Sequence, residues 1–170
     1  MKAHIQSILI EPAYDALDSV RVLFLAYKAW IPVDLRFQGF DEEVRTLPGK
    51  YSPPDGRLFL ARLNGVAIGC VALRRFDATR CEMKRLFVRD EFRSLGVGRI
   101  LAEHLVTEAT AMGYASMVLD SLQRMPSALT LYETMGFREI APYCHNPEPD
   151  AVYMEKILRA CPPISNSKSI

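Results

Sequence analysis

The chain has 170 residues, 49% of them hydrophobic and 24% charged, which is the balance of a globular protein with a buried core. This composition excludes a disordered or a collagen-like chain. The net charge is only +1, so there is no electrostatic case for nucleic-acid binding. No apolar run approaches the roughly 20 residues that span a bilayer, and Glu11-Pro12 interrupts the short N-terminal one. We therefore expect a cytoplasmic protein without nucleic-acid or membrane partners.

The first predicted elements are a strand at 5–10 and a helix at 14–30. Apolar residues in the helix recur every three or four positions, as on one helical face, and Pro32 follows its end. Residues 31–56 are rich in proline and glycine, and we interpret them as a short helix inside a long connection. Long connections are often functional, so this segment is a candidate substrate wall.

A three-stranded meander is predicted next. The apolar runs 57–63 and 66–75 flank Asn64-Gly65, a pair typical of hairpins because both residues tolerate a positive φ. A second turn then leads to a third strand, 80–88. Consecutive strands joined in this way are antiparallel.

The second half of the chain alternates helices with short strands. In order, we predict a helix at 95–112, a strand at 116–119, a helix at 127–135, and strands at 138–140 and 152–156. Antiparallel strands come first and crossovers follow, which predicts an α+β fold with a mixed, mostly antiparallel sheet of six to seven strands and about four helices. We expect a single domain over 1–158 and a polar, flexible tail over 159–170.

The cysteines and histidines give no metal signature. None of the four cysteines forms a CxxC pair, and the three histidines show no ligand spacing beside them, so we expect no bound metal. Cys70 and Cys81 lie in apolar, strand-like stretches, where a free cysteine packs as a small hydrophobic residue. We interpret the thiols as structural.

The segment 89–99, R-D-E-F-R-S-L-G-V-G-R, joins an apolar strand to an amphipathic helix. Gly96 and Gly98 allow a ligand to approach the backbone closely. The start of a helix offers unpaired N–H groups and the positive end of the helix dipole. These features favour a phosphate or pyrophosphate site, to which Arg93 and Arg99 add positive charge.

Three phosphate-binding patterns compete for this segment. A Walker A loop is excluded because no Gly-Lys-Ser/Thr is present. The dinucleotide fingerprint needs a small residue where this chain has Leu101, and a parallel unit rather than a meander, which disfavours a nicotinamide-dependent enzyme. Arg93, Gly96 and Gly98 meet the third pattern, R-x-x-G-x-G. Taken alone, this short pattern leaves open that the glycines only ease a turn.

Two motifs in order resemble the GCN5-related N-acetyltransferase (GNAT) family. In that family, a strand ending in L-x-V precedes Q/R-x-x-G-x-G/A at a helix start, here Leu86–Val88 and Arg93–Gly98. Further along, the family has a short helix ending in L-Y-E-x-x-G-F, here Leu131–Phe137. The resemblance covers most of residues 5–157 and implies the GNAT fold, with the sheet splayed at two strands.

By resemblance, acetyl-CoA binds in the V-shaped gap between the splayed strands, and 116–120 forms the second wall. The pantetheine arm is expected to pair with the first wall like an added strand. Backbone N–H groups at the helix start are expected to hold the pyrophosphate. Many members carry an Asn that contacts pantetheine where this chain has Met125. The implied cofactor-binding residues are Leu86, Phe87, Val88, Arg93, Ser94, Leu95, Gly96, Val97, Gly98 and Arg99.

The implied reaction is direct attack of a primary amine on the thioester in a ternary complex. A Lys-like amine has a pKa near 10.4, so a base must take its proton at neutral pH. By resemblance, Tyr132 is the general acid for the departing thiolate. Glu82 is the candidate base, because some histone-acetylating members carry glutamate four residues before the position of Leu86. An ordered water is the alternative, and the charged run 82–85 also fits a set of ion pairs.

The sequence indicates less about the acetyl acceptor. The polar residues of the implied acceptor site suit a small polar or amino-acid-like amine, with a protein or peptide amine as the alternative. Arg74, Lys84 and Arg85 hold a carboxylate if they face the cleft, and are otherwise surface charges. A non-catalytic acyl-CoA-binding module or sensor is a second function class, and a homodimer is an expected assembly for this family. By resemblance, the acceptor site comprises 30–40, 47–55 and 143–150.

Overall fold

A seven-stranded sheet forms the centre of the computed structural model, which describes residues 7–158. Its strands are β1 Leu9–Pro12, β2 Arg57–Leu63, β3 Val66–Arg75, β4 Arg80–Val88, β5 Ser116–Leu122, β6 Arg138–Ile140 and β7 Ala151–Ile157. They lie in the order β1-β2-β3-β4-β5-β7-β6, and each neighbouring pair is antiparallel except β4 and β5. The predicted α+β fold with a mostly antiparallel mixed sheet is confirmed.

Four α-helices and three short 3-10 helices occur within the described residues. The α-helices are α1 Leu17–Trp30, α2 Phe40–Arg45, α3 Val97–Ala111 and α4 Pro126–Thr134. The 3-10 helices span Leu35–Gln38, Gly49–Tyr51 and Asp90–Leu95. No helix in this part of the chain is long and apolar enough to cross a membrane.

Each face of the sheet is covered by a helix and carries its own hydrophobic cluster. Along β2, Leu58 and Leu60 pack in the cluster of α1, whereas Phe59 and Ala61 pack in the cluster of α3. Successive strand residues point to opposite faces, so a strand covered on both sides is apolar throughout. This explains why the central strands read as continuous apolar runs.

The predicted hairpin is confirmed. Asn64 and Gly65 both adopt a positive φ, 52° and 81°, between strands that begin and end at the predicted residues. The third strand of the meander, 80–88, also has its predicted bounds. Local turn chemistry is sufficient here because two residues determine the connection.

Other boundaries differ from the prediction. Helix α3 begins at Val97 rather than 95, because the preceding 3-10 helix ends at Gly96, which has a φ of 72°. Strand β5 continues to Leu122 rather than 119, since its last polar residues pair with β7. Helix α1 begins at Leu17, after a turn that Ala13 starts.

The connection 31–56 holds α2 and two 3-10 helices rather than one short helix. The predicted strand at 5–10 lies partly outside the described residues, and the observed β1 begins at Leu9. The predicted tail, 159–170, lies wholly outside them.

The sheet opens between β4 and β5. These parallel strands are paired over only three positions, the last of which joins Glu82 to Val118. Beyond that pair, the register of β4 against β3 shifts, and Arg85 adopts a φ of 58°. Such a bulge bends its strand. The predicted splay is therefore present, with a β-bulge on one of its walls.

Candidate active site

Two adjoining depressions occupy the gap between β4 and β5. The inner cavity, of about 130 Å³, has Tyr27, Gln38, Lys84, Arg85, Asp120 and Tyr132 in its wall. The outer groove, of about 820 Å³, has Phe87, Arg93, Gly98, Arg124 and Ser127 in its wall. Trp30, Leu86, Met125 and Ala128 line both, so the two spaces are immediate neighbours.

Six of the ten predicted cofactor residues line the outer groove. The other four include Leu95, whose side chain is 47% exposed, and Val97, which is buried in the core. The strand segment 86–88 lies beyond the last pair of β4 with β5, so its edge is open toward the groove. The groove-lining residues of the prediction are Leu86, Phe87, Val88, Arg93, Ser94 and Gly98.

The start of α3 forms a backbone cradle beside this strand. Gly96 ends the preceding 3-10 helix in the left-handed conformation, and α3 begins at the next residue. The first N–H groups of a helix have no partner within it, and they attract anions. A Cβ at Gly98 would lie 3.9 Å from Val88 Cγ2 and 4.0 Å from Leu131 Cδ2, so the space over its backbone is open. This geometry fits a phosphate or pyrophosphate.

The two arginines of the motif are held in place by other groups. The guanidinium of Arg93 lies 4.2 Å from the centre of the Trp30 ring, and its Nε donates to the carbonyl of Val88 at 3.1 Å. Arg99 donates to Glu103 at 3.2 Å and to the hydroxyl of Thr134 at 2.5 Å. Only Arg93 lines the groove.

The outer groove also contains a cation that the sequence analysis missed. Arg124 follows β5 and forms ion pairs with Glu148 and Asp150 in the loop before β7. It also donates to the carbonyl of Pro32 at 3.1 Å. Three segments that are distant in sequence therefore meet at this end of the groove.

Tyr132 lies in the wall of the inner cavity, one residue after Leu131 of the outer groove. Its side chain projects from α4, is 8% exposed, and packs edge-on against Phe137 with 5.8 Å between ring centres. Burial raises the pKa of the Tyr132 hydroxyl above its ordinary value. The phenol is therefore neutral at physiological pH and able to donate a proton into the cavity.

Glu82 is buried within a network of ion pairs. Its carboxylate, 1% exposed, accepts from Arg74 Nε at 2.6 Å and from the Tyr143 hydroxyl at 3.1 Å. Lys84 Nζ lies 3.4 Å from it. Lys84 belongs to the wall of the inner cavity and Glu82 does not.

Asp120 is a carboxylate in the inner cavity that the sequence analysis did not single out. It lies on β5, two residues after the last pair with β4. Its carboxylate lies 3.4 Å from Lys84 Nζ and accepts from Asn146 Nδ2 at 2.9 Å. The available signal was a charged residue directly after an apolar strand, at the predicted second wall.

A second buried cluster surrounds Arg85. Its Nε donates to Glu43 at 2.7 Å, and its Nη1 donates to Gln38 at 2.9 Å. The Tyr51 hydroxyl and Lys50 Nζ also contact Glu43, at 2.7 and 3.0 Å. Burial alone would raise the pKa of Glu43, but these partners, Arg85 foremost, hold it below its ordinary value. The carboxylate is therefore ionised.

The sequence matches the model of the Acetyltransferase (GNAT) family over residues 24–137. The chain belongs to this family. It is 42% identical over 140 residues to an uncharacterized N-acetyltransferase of Schizosaccharomyces pombe, covering 81% of this chain and 86% of the relative. It is 32% identical to an uncharacterized N-acetyltransferase of Dictyostelium discoideum, covering 88% of this chain and 98% of the relative.

Named relatives and solved structures agree with this assignment. An N-acetylaspartate synthetase of Danio rerio is 33% identical over 53% of this chain and 33% of its own length. An acetyltransferase from Streptococcus agalactiae shares the fold, with a TM-score of 0.75 and 21% identity over 91% of this chain and all of its own. A Salmonella typhimurium protein solved with acetyl-CoA has a TM-score of 0.66 and 20% identity over 91% of this chain and 96% of its own.

The GNAT chain is accordingly an acetyl-CoA-dependent N-acyltransferase, and its open strand edge and helix cradle fit that co-substrate. The interpretation of Lys84 and Arg85 as surface charges is wrong, because both side chains are buried, ion-paired and part of the cavity wall. Arg74 is also paired, with Glu82. Among residues 7–158, no three His, Cys, Asp or Glu side chains form a group that would hold a metal.

Proposed function

We propose that this GNAT enzyme transfers the acetyl group of acetyl-CoA to the primary amine of a small polar, amino-acid-like molecule. The observation that carries the proposal is the small inner cavity, which has the charged side chains of Lys84, Arg85 and Asp120 in its wall. At about 130 Å³ it is similar in size to the engineered cavity of about 150 Å³ that binds benzene. A cavity of this size suits a small acceptor better than a peptide.

The cofactor is proposed to lie in the outer groove. The backbone of Leu86, Phe87 and Val88 would pair with the pantetheine arm, since its edge faces the open gap. N–H groups of the segment 93–99 would hold the pyrophosphate at the start of α3. Leu95 and Val97 contribute through the backbone only, because their side chains point to solvent and into the core.

Acetyl-CoA supplies an activated thioester carbonyl, and this chain's residues orient the amine and move its proton. A carbon–nitrogen bond forms, the carbon–sulfur bond breaks, and Tyr132 gives its proton to the departing sulfur. The neutral phenol and its place in the wall of the inner cavity support this role. Direct attack in a ternary complex needs both substrates bound at once, and two adjoining spaces are available for them.

Glu82 is proposed as the base that receives the proton of the amine. Because its carboxylate is not part of the cavity wall, the proton would reach it through an ordered water. Asp120 is the second candidate base, since its side chain does line the cavity. Both carboxylates lie 3.4 Å from Lys84 Nζ.

The name of one relative supports an amino-acid-like acceptor, since N-acetylaspartate is the acetylated form of an amino acid. The alternatives are an acetyltransferase of a protein or peptide amine, and a sensor that binds acyl-CoA without turnover. A peptide enzyme needs an acceptor channel open to solvent. A sensor would keep the cofactor groove and make no use of Tyr132.

The proposal is tested by CoA release from acetyl-CoA in the presence of amino acids, polyamines, aminoglycosides and peptides. We expect release that depends on a small amine and that falls in Tyr132→Phe. The control is release without acceptor, which measures hydrolysis. Release with peptides alone would overturn the small-acceptor proposal, and tight acetyl-CoA binding without release for any amine would favour the sensor.

A further inference from the structure

The β-bulge at Arg85 turns a second cation toward the inner cavity. Adjacent strand residues normally point to opposite faces of a sheet, yet four consecutive residues of β4, 83–86, line this cavity at the place where its register against β3 shifts. Arg85 has a φ of 58°, a backbone conformation that is uncommon for a residue other than glycine. Strained backbone of this kind clusters at functional sites. The bulge therefore marks Arg85 as a candidate ligand-binding residue.

The guanidinium of Arg85 has one nitrogen without an acceptor. Nε donates to Glu43 and Nη1 to Gln38, whereas Nη2 is buried and has no hydrogen-bond partner. Within residues 7–158, Nη2 is the only buried side-chain nitrogen or oxygen that lacks a hydrogen-bond partner. The Tyr27 ring lies beside the guanidinium, with 5.7 Å between Arg85 Cζ and the ring centre, and burial raises the pKa of its hydroxyl while Arg85 lowers it. A buried charged donor without an acceptor is costly.

The charges around the cavity do not cancel. Four cations and three carboxylates belong to two separate ion-pair networks that border the cavity. Each cation has a carboxylate partner, but the two networks together carry a net charge of +1, and the Lys84 and Arg85 side chains in the cavity wall are nearly inaccessible to water. A ligand with one negative charge would balance the site. The cations are Lys50, Arg74, Lys84 and Arg85, and the carboxylates are Glu43, Glu82 and Asp120.

We propose that Arg85 binds a carboxylate of the acetyl acceptor through Nη2, which makes the acceptor an amino acid or an amine of similar chemistry. This inference rests on the proposed function and specifies its substrate class. Guanidinium and carboxylate form strong charge-assisted hydrogen bonds. Because Nη2 is out of contact with water, binding includes a small shift of the neighbouring cavity side chains, Tyr27 or Gln38.

The arrangement also orients the acceptor. With its carboxylate at Arg85, on the α2 side of the cavity, the amine of the acceptor points back toward Tyr132 and the outer groove. Lys84 and Asp120 lie on the β5 side of the same cavity and contact each other at 3.4 Å. Arg85 on β4 and Tyr132 on α4 therefore belong to different elements of the cavity wall. An amine without a carboxylate would enter the cavity without a fixed orientation.

The test compares pairs of acceptors that differ in one group: each amino acid and its carboxamide, assayed by CoA release at saturating acetyl-CoA. For wild type, we expect kcat/KM to favour the acid by about ten- to a hundredfold, since a hydrogen bond to a charged group contributes roughly 1.5–3 kcal/mol. In Arg85→Lys, KM for the acid should rise by a similar factor, while KM for the carboxamide and for acetyl-CoA stays within about twofold.

Arg74→Lys is the matched control. It alters a partly exposed cation that is paired with Glu82 and does not line the cavity. We expect it to keep the preference for acids. Wild-type enzyme that uses acids and carboxamides equally would overturn the inference while leaving the proposed function intact. Parallel loss of activity with both acceptors in Arg85→Lys would also overturn it and assign Arg85 a structural role.

The experiment also distinguishes a variant that does not fold from an enzyme that does not transfer acetyl groups. If Arg85→Lys does not fold, the acid-to-carboxamide ratio of the wild-type enzyme still decides, as does inhibition by carboxylic acids that lack the amine. We expect such acids to compete with the acceptor and their amides not to compete, and the reverse would count against the inference. No CoA release with any amine would defeat the proposed function itself, and the inference with it.

Discussion

The carboxylates of Glu82 and Asp120 share one cation, because Lys84 Nζ lies 3.4 Å from an oxygen of each. Glu82 belongs to β4 and Asp120 to β5, and these strands separate just beyond the pair Glu82–Val118. Lys84 therefore bridges the two walls at the point where the gap opens. The two acids differ in access, since Asp120 lines the inner cavity and Glu82 is buried behind it.

Glu82→Gln tests the proposed base. We expect kcat at neutral pH to fall by about 10²- to 10⁴-fold, the usual contribution of a general base, with no change in acetyl-CoA affinity. The variant should recover as pH approaches the amine pKa near 10.4, because the amine then loses its proton without help. Measured pH profiles of kcat/KM for the two proteins check this.

Asp120→Asn is the matched comparison for this prediction. If Glu82 is the base, Asp120→Asn keeps the slope of the wild-type profile at neutral pH. If the pH profile of kcat/KM is unchanged in Glu82→Gln but rises steeply with pH in Asp120→Asn, the general base is Asp120 rather than Glu82. Unchanged profiles in both variants would mean that water alone takes the proton.

Tyr132→Phe tests the proposed acid. The substitution removes only the hydroxyl and keeps the ring packed against Phe137, so the melting temperature should stay close to that of wild type. We expect kcat to fall by about 10²-fold or more, since the thiolate loses its proton donor. Single-turnover assays with a fixed acceptor measure the chemical step. Full activity in the variant would show that solvent protonates the thiolate.

Gly98→Leu tests the cofactor cradle. Gly98 lines the outer groove, and the space around its Cα admits a Cβ without a clash. A larger side chain should project over the helix start, so we expect the Kd for acetyl-CoA to rise at least about tenfold. The free energy of unfolding should not fall, because leucine has a higher helix propensity than glycine. Calorimetric titration measures the affinity.

Gly96→Ala is the control for this prediction. Gly96 has a φ of 72° and is not part of the groove wall, so its substitution strains the backbone without adding bulk there. We expect a loss of about 1–2 kcal/mol in the free energy of unfolding. Equal acetyl-CoA affinity in Gly98→Leu and wild type would contradict the proposed position of the pyrophosphate.

Local sequence predicted the parts of the fold that depend on few residues. The Asn64-Gly65 hairpin and the glycines at the start of α3 have their predicted positions because each is determined by adjacent residues. The charged cavity was not predictable in this way. Arg85 meets Glu43 from 42 positions away, and it faces the cavity only because of a bulge that has no local sequence signature.

Asp120 was missed for a related reason. The apolar run of β5 ends at Leu119, so the predicted strand stopped there, whereas pairing with β7 extends it through Asp120 to Leu122. Long-range strand pairing therefore overrides the local preference of polar residues for loops. A single sequence holds no information on which strand will supply that pairing.

The buried thiols of Cys70 and Cys81 should lower the free energy of unfolding at alkaline pH. Burial raises the pKa of each to about 12, whereas an unfolded cysteine ionises near 8.5. Between these values the unfolded chain loses the proton and the folded chain keeps it. The free energy of unfolding should therefore be unaffected below pH 8 and fall above pH 9, by up to about 1.4 kcal/mol per pH unit for each thiol.

Urea unfolding at pH 7, 9 and 10.5 measures this loss, and the double variant Cys70→Ala/Cys81→Ala is the control. The variant is less stable at pH 7, because each substitution leaves a small cavity in the sheet. Its stability should then fall less steeply than that of wild type between pH 9 and 10.5, since tyrosines and lysines titrate equally in both proteins. The same slope in both would show that the two thiols do not ionise on unfolding in this range, and would contradict the raised pKa values.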